Sequence, residues 1–174
     1  MANYKELEEY DKNKTKVLKY VIYKKRSVSE IKRKFENEIE SNVLEDIIED
    51  LKENGYIDDS QYVDRSVREF MALKNMSLKQ IKYKLLSKGI DSSIIDDYFS
   101  ENSDELNEYE IKSAKNLIAK KIDSSAEEIV QGLLKKGFEY DNVKEAIERG
   151  NEWKILLILN HKYIQLNRMN LKVL

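Results

Sequence analysis

The sequence has no proline and only five glycines in 174 residues. Proline interrupts helices because it lacks a backbone N–H, and glycine is a residue that tight turns often require. A chain with so few of either is suited to helices joined by short turns. Because 41% of its residues are hydrophobic and 37% are charged, it can bury a core beneath a highly charged surface. We therefore predict an all-α fold made of one domain or of a few small units packed in a row.

The side chains that most often carry enzyme chemistry are scarce. There is no cysteine and a single histidine, His161, which excludes disulfides, thiolate nucleophiles and zinc sites built from cysteine and histidine. No spaced Asp/Glu motif and no glycine-rich phosphate loop is present, so we expect no catalysis, no metal and no cofactor. Residues 1–16 are polar, and the longest apolar run, Ile155–Leu159, is too short to span a bilayer. We expect a cytoplasmic protein.

An internal repeat organises the chain. The segment at 77–99 aligns with the one at 125–147, so that Gly89 matches Gly137, and an earlier copy lies at 27–48. Each copy follows a short helical stretch, which makes the repeating unit three helices. We divide the chain into five parts: a polar segment at 1–15, three-helix repeats at 16–57, 58–104 and 105–150, and a C-terminal extension at 151–174.

Capping signals place the helix starts. In a capping box, a first side chain accepts from a backbone N–H of the first turn, and a second side chain three residues later reaches back. The predicted pairs are Ser27 with Glu30, Asn42 with Glu45, Asp58 with Gln61, Ser77 with Gln80, and Ser124 with Glu127.

Three glycines mark helix ends. The stretches NGYI (54–57), SKGI (87–90) and KKGF (135–138) each follow a helical run. Glycine there can take the left-handed conformation, and the apolar residue after it folds back onto the helix. We predict Gly55, Gly89 and Gly137 as structural helix stops, with Tyr56, Ile90 and Phe138 as the apolar contacts.

Charge is segregated along the chain although the net charge is only −2. Residues 12–34 contain ten Lys or Arg and one acid, whereas residues 36–59 contain ten acids and one base. Residues 65–88 and 91–110 repeat the alternation. Solvated helix faces with salt bridges between neighbouring helices would explain it. We favour basic helices aligned into one stripe that faces an acidic partner surface.

A helix-turn-helix transcription regulator is the alternative. In a winged-helix reading of 27–57, the DNA-reading helix would be 42–53, which carries five acids. Such a surface repels phosphate, whereas DNA affinity comes largely from neutralising it. Residue 58 opens another helix, and no alternating strand pair follows that could form a wing.

In the order and spacing of four stretches, the chain resembles the RecX regulatory proteins, which modulate the RecA recombinase. The stretches are KVLKYVIYKKRSVSEIKRKF (16–35), VLEDIIEDLKENGYIDDSQYVDRSVREF (43–70), SLKQIKYKLLSKGID (77–91) and LLKKGFEYDNVKEAI (133–147).

The resemblance implies three tandem three-helix repeats in a curved, elongated bundle. It implies a protein that binds the RecA filament on single-stranded DNA and inhibits or modulates ATP hydrolysis, strand exchange and coprotease function in DNA repair and the SOS response. Direct contact with the DNA is an open alternative. We expect a monomer. Eight basic residues in the matched repeats are predicted from their charge to bind the filament or DNA: Lys25, Arg26, Lys32, Arg33, Arg65, Arg68, Lys79 and Lys82.

Two features depart from the family pattern. Family members often have a glycine near Asn75 and Met76, where this chain has none, and residues 151–174 have no recognised counterpart. We expect Trp153 and Ile155–Leu159 to pack onto the third repeat, since exposed apolar clusters of that size are uncommon. Self-association through this extension is the second reading.

Overall fold

The computed structural model describes residues 4–120 and 125–150. Every regular element in these two ranges is an α-helix, which confirms the predicted fold class. None of the described helices is long and apolar enough to cross a membrane. In chain order the helices are α1 (Tyr4–Tyr23), α2 (Val28–Phe35), α3 (Ser41–Glu53), α4 (Asp59–Leu73), α5 (Leu78–Ser87), α6 (Ser92–Glu101), α7 (Ser103–Ala119), α8 (Ala126–Lys135) and α9 (Tyr140–Arg149).

The first helix begins earlier than the sequence pattern indicates. Apolar periodicity predicts a helical stretch at 17–25, whereas α1 starts at Tyr4 and includes most of the polar segment. The Lys14 ammonium lies 2.7 Å from a carboxylate oxygen of Asp50 in α3, and Tyr10 packs against the core. Tertiary contacts therefore hold a polar helix that periodicity does not reveal.

The chain divides into two compact units. The first comprises Met1–Val67 and Lys84–Tyr98, and the second comprises Arg68–Tyr83 and Phe99–Leu174. The boundaries pass through α4, α5 and α6 rather than between the predicted repeats. The reason is that each unit contains long-range hydrogen bonds between residues of two successive predicted repeats. The division into three repeats stays a prediction.

Each unit has its own hydrophobic core. Burying one aliphatic side chain is worth about 1.5–3 kcal/mol, so these clusters outweigh the capping interactions described below. The core of the first unit joins α1, α2 and α3 and includes Val17, Ile31, Ile47 and Leu51, all at most 1% exposed. The core of the second unit joins α7, α8 and α9 and includes Ala114, Val130, Val143 and Ile147, all fully buried.

Two of the predicted capping boxes are confirmed in both directions. The Ser27 hydroxyl accepts from the amide of Glu30 at 3.1 Å, while the Glu30 carboxylate accepts from the Ser27 amide at 3.2 Å. Ser77 and Gln80 form the same pair of hydrogen bonds, each at 3.1 Å. Asp58 also caps its helix, because one carboxylate oxygen accepts from two backbone amides of the first turn of α4.

Two other predicted helix starts are wrong. Helix α3 begins at Ser41 with Glu40 at the N-cap and no side-chain cap, so Asn42 lies inside the helix. Helix α8 is capped by Ser125 with Glu128, one residue later than predicted, and Ser124 itself lies outside the described residues. In both places several polar residues in succession could serve as the cap, and core packing selects among them.

Backbone geometry at the three glycines is that of the left-handed region. The φ angles are +72° at Gly55, +72° at Gly89 and +83° at Gly137. At each site the amide of the residue after glycine donates to a carbonyl five residues earlier, and the glycine amide donates to one three residues earlier. This is the hydrogen-bond pattern of a Schellman motif, which satisfies the last carbonyls of the helix.

The apolar contact after the first of these glycines is not the predicted residue. Ile90 and Phe138 are each 3% exposed, as expected. Tyr56 is 43% exposed, and Ile57 beyond it is the buried side chain, at 3%. A tyrosine assigned to packing is therefore available at the surface.

Two capping serines also bind a helix end far along the chain. The Ser27 hydroxyl donates to the carbonyl of Lys88 at 2.8 Å, and the Ser77 hydroxyl donates to the carbonyl of Lys136 at 2.7 Å. Both serines are fully buried. Each accepting carbonyl immediately precedes a left-handed glycine, so the negative end of one helix meets the positive start of another. We call this arrangement a serine joint.

The joints require glycine for a second reason. A Cβ built on Gly89 would collide with the side chain of Ser29, and one built on Gly137 would come within 2.8 Å of Cδ of Lys79. Gly55 takes part in no joint, and nothing lies within 4 Å of a Cβ built there. All three glycines have a positive φ, but only at Gly89 and Gly137 do neighbouring side chains leave no room for a Cβ.

Candidate interaction surface

A concavity of about 240 Å³ in the first unit contains three of the eight predicted basic residues. Lys25 and Arg26 come from the connection between α1 and α2, and Arg65 comes from the second turn of α4. The other residues around it are Tyr56, Asp58, Gln61, Tyr62 and Asp64. We call these eight residues the basic concavity.

Local backbone structure fixes the two walls of the basic concavity. On one side, the capping box at Ser27 fixes the backbone directly after Lys25 and Arg26, and with it the positions from which these two side chains extend. On the other side, the glycine stop at Gly55 turns the backbone directly before α4. Two hydrogen bonds join the walls: the Val28 amide donates to Asp59 at 3.0 Å, and the Lys25 ammonium donates to the Tyr56 carbonyl at 3.5 Å.

The cations of the basic concavity differ in how far they are exposed and in whether a neighbouring ring orients them. The Arg26 guanidinium lies 4.6 Å from the centre of the Tyr20 ring, a cation–π geometry that orients it. Its Nε is buried without a hydrogen-bond partner. Lys25 and Arg65 are exposed. The concavity therefore presents one oriented guanidinium and two exposed cationic side chains to a ligand.

The acids and tyrosines of the basic concavity have separate roles. Asp58 is engaged with two backbone amides, and Asp64 accepts from the Tyr98 hydroxyl at 3.3 Å. Burial raises the pKa of Tyr62 to about 12, and the nearby Glu30 carboxylate acts in the same direction. Tyr62 is therefore neutral at pH 7. The ring of Tyr56 offers an exposed face beside the cations.

The remaining predicted basic residues lie elsewhere. In the first unit, Lys32 pairs with Glu45 at 2.9 Å, and Arg33 lies beside Lys34 around a separate shallow concavity. In the second unit, three residues have distinct settings: Arg68 lines a concavity of about 660 Å³ that also contains Lys74 and Lys112, the stem of Lys79 packs at Gly137, and the Lys82 ammonium lies 4.7 Å from the centre of the Phe99 ring.

The sequence patterns do not indicate that Tyr56, Tyr62 and Gln61 line the basic concavity. They predict Tyr56 as the apolar contact of a helix stop and Gln61 as the partner of Asp58 in a capping box. The available signal was the pair of apolar residues after Gly55, because two successive side chains on a turn cannot both enter the same core. The acidic face of α3 matches expectation: Glu45, Glu49 and Glu53 are all exposed.

Comparison with known proteins decides the family. The regulatory protein RecX of Clostridioides difficile is 30% identical over 150 residues, which are 82% of this chain and 69% of that protein. The chain belongs to the RecX family. RecX of Streptococcus equi subsp. zooepidemicus is 30% identical over 83% of this chain. The crystal structure of RecX from Lactobacillus salivarius matches with a TM-score of 0.71 and 28% identity, covering 82% of this chain and 97% of that one.

The coverage is unequal in the two directions. This chain spans 58% of the Streptococcus equi RecX and 59% of the Lactococcus lactis RecX. A second RecX crystal structure has a TM-score of 0.70 and 26% identity. No family model matches the sequence. The printed names of these relatives describe regulatory proteins.

Proposed function

We propose that this protein binds RecA filaments on single-stranded DNA and lowers their ATPase, strand-exchange and coprotease activities without catalysing a reaction itself. Membership of the RecX family carries the proposal. A filament of protein and nucleic acid carries dense negative charge, so a partner that binds it needs cations held at defined positions.

The basic concavity supplies such cations in the first unit. Arg26 is oriented on the ring of Tyr20, while Lys25 and Arg65 are exposed. An oriented guanidinium loses less side-chain entropy on binding a phosphate or carboxylate than a free one. In the second unit, a concavity lined by Arg68, Lys74 and Lys112 offers three further cations, beside the carboxylates of Glu105 and Glu108.

Titration against RecA tests the proposal. RecA is assembled on single-stranded DNA with ATP, and its hydrolysis rate is measured as this protein is added up to several-fold excess over RecA. We expect the rate to fall with added protein, and the protein alone to hydrolyse no ATP. An unchanged RecA rate across the titration would overturn the proposal.

A further inference from the structure

Tyr56 is a feature of the basic concavity that a need for positive charge does not explain. Its side chain is 43% exposed, although it lies directly between Gly55, whose φ is +72°, and the buried Ile57. The Tyr56 amide donates to the Leu51 carbonyl at 2.9 Å, and the Tyr56 carbonyl accepts from the Lys25 ammonium at 3.5 Å. The backbone on either side of the ring is therefore fixed, and the ring is presented to solvent from a rigid turn.

Three cations lie in the same concavity as this ring. The Lys25 ammonium has three N–H donors, so its bond to the Tyr56 carbonyl leaves two for a ligand. Arg26 is held over the ring of Tyr20, and because its Nε is buried, only its terminal amino groups can meet a ligand. Arg65 is exposed on α4. An exposed aromatic ring and cationic donors are thus available to one ligand.

Two carboxylates also line the basic concavity, and each has partners within the protein. Asp58 accepts from two amides at 2.8 and 3.0 Å at the start of α4, where the helix dipole favours a negative group. Asp64 accepts from the Tyr98 hydroxyl at 3.3 Å. Three cations against two carboxylates leave a small positive excess. The concavity therefore suits a ligand that joins a singly charged group to a flat uncharged one, as each nucleotide of a strand does.

The lining of the concavity favours a nucleobase over a protein segment. Among the described residues that line it, none is aliphatic. Protein partners usually place apolar anchors in grooves with an apolar centre, and a helix about 10 Å across is too wide for about 240 Å³. Every base has a flat π face that can stack on an exposed aromatic ring. The exposed carboxamide of Gln61 can donate to a base edge or accept from it.

We propose that the basic concavity binds single-stranded DNA directly, with an unpaired base stacked on Tyr56 and neighbouring phosphates bound by Lys25, Arg26 and Arg65. The inference rests on the proposed function for the source of the strand, and it adds a direct DNA contact to that function. In a duplex, adjacent base pairs cover both faces of each base, so this site selects unpaired strand. Stacking does not depend on which base is present, so binding should be insensitive to base sequence.

Binding of an oligonucleotide in the absence of RecA tests the inference by itself. We expect the full chain to bind a fluorescent oligothymidylate in anisotropy titrations at low salt, where phosphate contacts are strongest. Tyr56→Ala should bind it roughly tenfold or more weakly. The slope of log affinity against log salt should stay parental in this variant, because no phosphate contact is lost.

Two further variants are the controls. Tyr56→Phe keeps the ring and should bind as the parent does. Tyr83→Ala removes a ring that is 73% exposed and lies outside the basic concavity, and it should not change the affinity. Thermal unfolding verifies that each variant is folded, and we expect Tyr56→Ala to melt close to the parent because its ring is not part of the core.

Three results would overturn the inference. One is equal affinity of the parent and Tyr56→Ala for the oligothymidylate. Another is weaker binding of Tyr56→Ala to the RecA filament with unchanged affinity for the oligonucleotide, which would assign the concavity to a protein surface. The third is tighter binding of a duplex or of oligouridylate RNA than of the single DNA strand.

Failure of the proposed function gives a different pattern. A protein that leaves the ATPase rate of RecA unchanged, yet binds oligothymidylate through Tyr56, would overturn the proposed function and support the DNA site. A protein that lowers the ATPase rate but does not bind oligothymidylate would support the proposed function and overturn the DNA site.

Discussion

At the scale of single residues, the three helix-ending glycines are not equivalent. All three have positive φ, which costs a residue with a Cβ about 1 kcal/mol. Only Gly89 and Gly137 also lack room for a Cβ. Their joints set the separation of two helices, so a larger side chain there changes tertiary structure as well as backbone energy.

Substitution at Gly55 and Gly89 should separate the two effects. We expect Gly55→Ala to lower the free energy of unfolding by about 1 kcal/mol. Gly89→Ala should lose about 1–3 kcal/mol more, because its Cβ collides with Ser29. Asn tolerates the left-handed region, so it should be mild at residue 55 and costly at residue 89. Urea denaturation measures both, and equal losses at the two sites would contradict the packing argument.

Ionisation of Glu30 should make the free energy of unfolding depend on pH in the acidic range. Burial opposes ionisation of Glu30, but hydrogen bonds from Lys88 and from the Ser27 amide outweigh it and lower its pKa. A carboxyl with a depressed pKa contributes stability above its ordinary pKa, and this is lost as pH falls through the folded-state value. Glu30→Gln keeps the capping box, as Gln80 does at Ser77.

We therefore expect Glu30→Gln to be less stable than the parent by about 1 kcal/mol at pH 7, and the difference to disappear by about pH 3. Denaturant midpoints at several pH values provide the measurement. A difference that stays constant from pH 7 to pH 3 would show that the Lys88 ion pair does not contribute.

At the scale of helices, the serine joints link the start of one helix to the end of another. The hydrogen-bonded residues are 61 and 59 positions apart in the chain. Each joint gives the hydroxyl of a fully buried serine an acceptor, and an unpaired polar group in such a position is costly. The joints therefore fix how α5 meets α2 and how α8 meets α5.

Alanine at the three capping serines should give two classes of result. Ser125→Ala loses a cap alone, which costs about 1 kcal/mol. Ser27→Ala and Ser77→Ala also lose the hydrogen bond to the carbonyl of Lys88 or Lys136, so we expect about 1.5–2.5 kcal/mol for each. Thermal or urea unfolding of the three variants tests this. Similar losses at all three serines would show that the joints contribute nothing beyond capping.

For the molecule as a whole, Lys and Arg side chains line a concavity in each unit while the net charge is only −2. The exposed acids of α3 keep that helix from contacting phosphate. The proposed binding to a negatively charged filament then depends on where cations cluster and not on overall charge. The basic concavity is the cluster whose geometry is best defined, since Arg26 is oriented and Lys25 is near its opposite wall.

Reversing Lys25, Arg26 and Arg65 to Glu should abolish most of the effect on RecA's ATPase. Losing three contacts to phosphate should lower affinity by orders of magnitude and reduce the slope of log affinity against log salt by about 2. Reversal of the exposed α1 residues Lys5, Lys12 and Lys19 gives the same change in net charge and is the matched control. Circular dichroism verifies folding of both.

We expect the control variant to retain inhibition and the parental salt slope. Equal loss of affinity in the two variants would mean that the filament senses total charge alone. Wild-type affinity in the Lys25, Arg26 and Arg65 variant would mean that the basic concavity is a solvated surface, and that the second unit carries the interaction.

Local signals in the sequence were sufficient for the helical fold class and for six helix boundaries, namely the starts of α2, α4 and α5 and the ends of α3, α5 and α8. Capping boxes and glycine stops depend on hydrogen bonds within one or two turns, so their residues lie close together in the sequence, as at Ser27 with Glu30. The ambiguous starts at Asn42 and Ser124 failed for the same reason, because several neighbouring polar residues could satisfy one local rule.

Which residues share a surface depends on how the helices pack. The segregation of charge along the sequence predicts eight basic residues as candidates. The packing of α4 beside the α1–α2 connection is what brings Lys25, Arg26 and Arg65 together. Packing likewise buried Ile57 and left Tyr56 exposed, and it gave Ser27 a second partner 61 residues away. These outcomes depend on the angles and distances between helices, which are set by the sum of many core contacts and not by any local stretch of sequence.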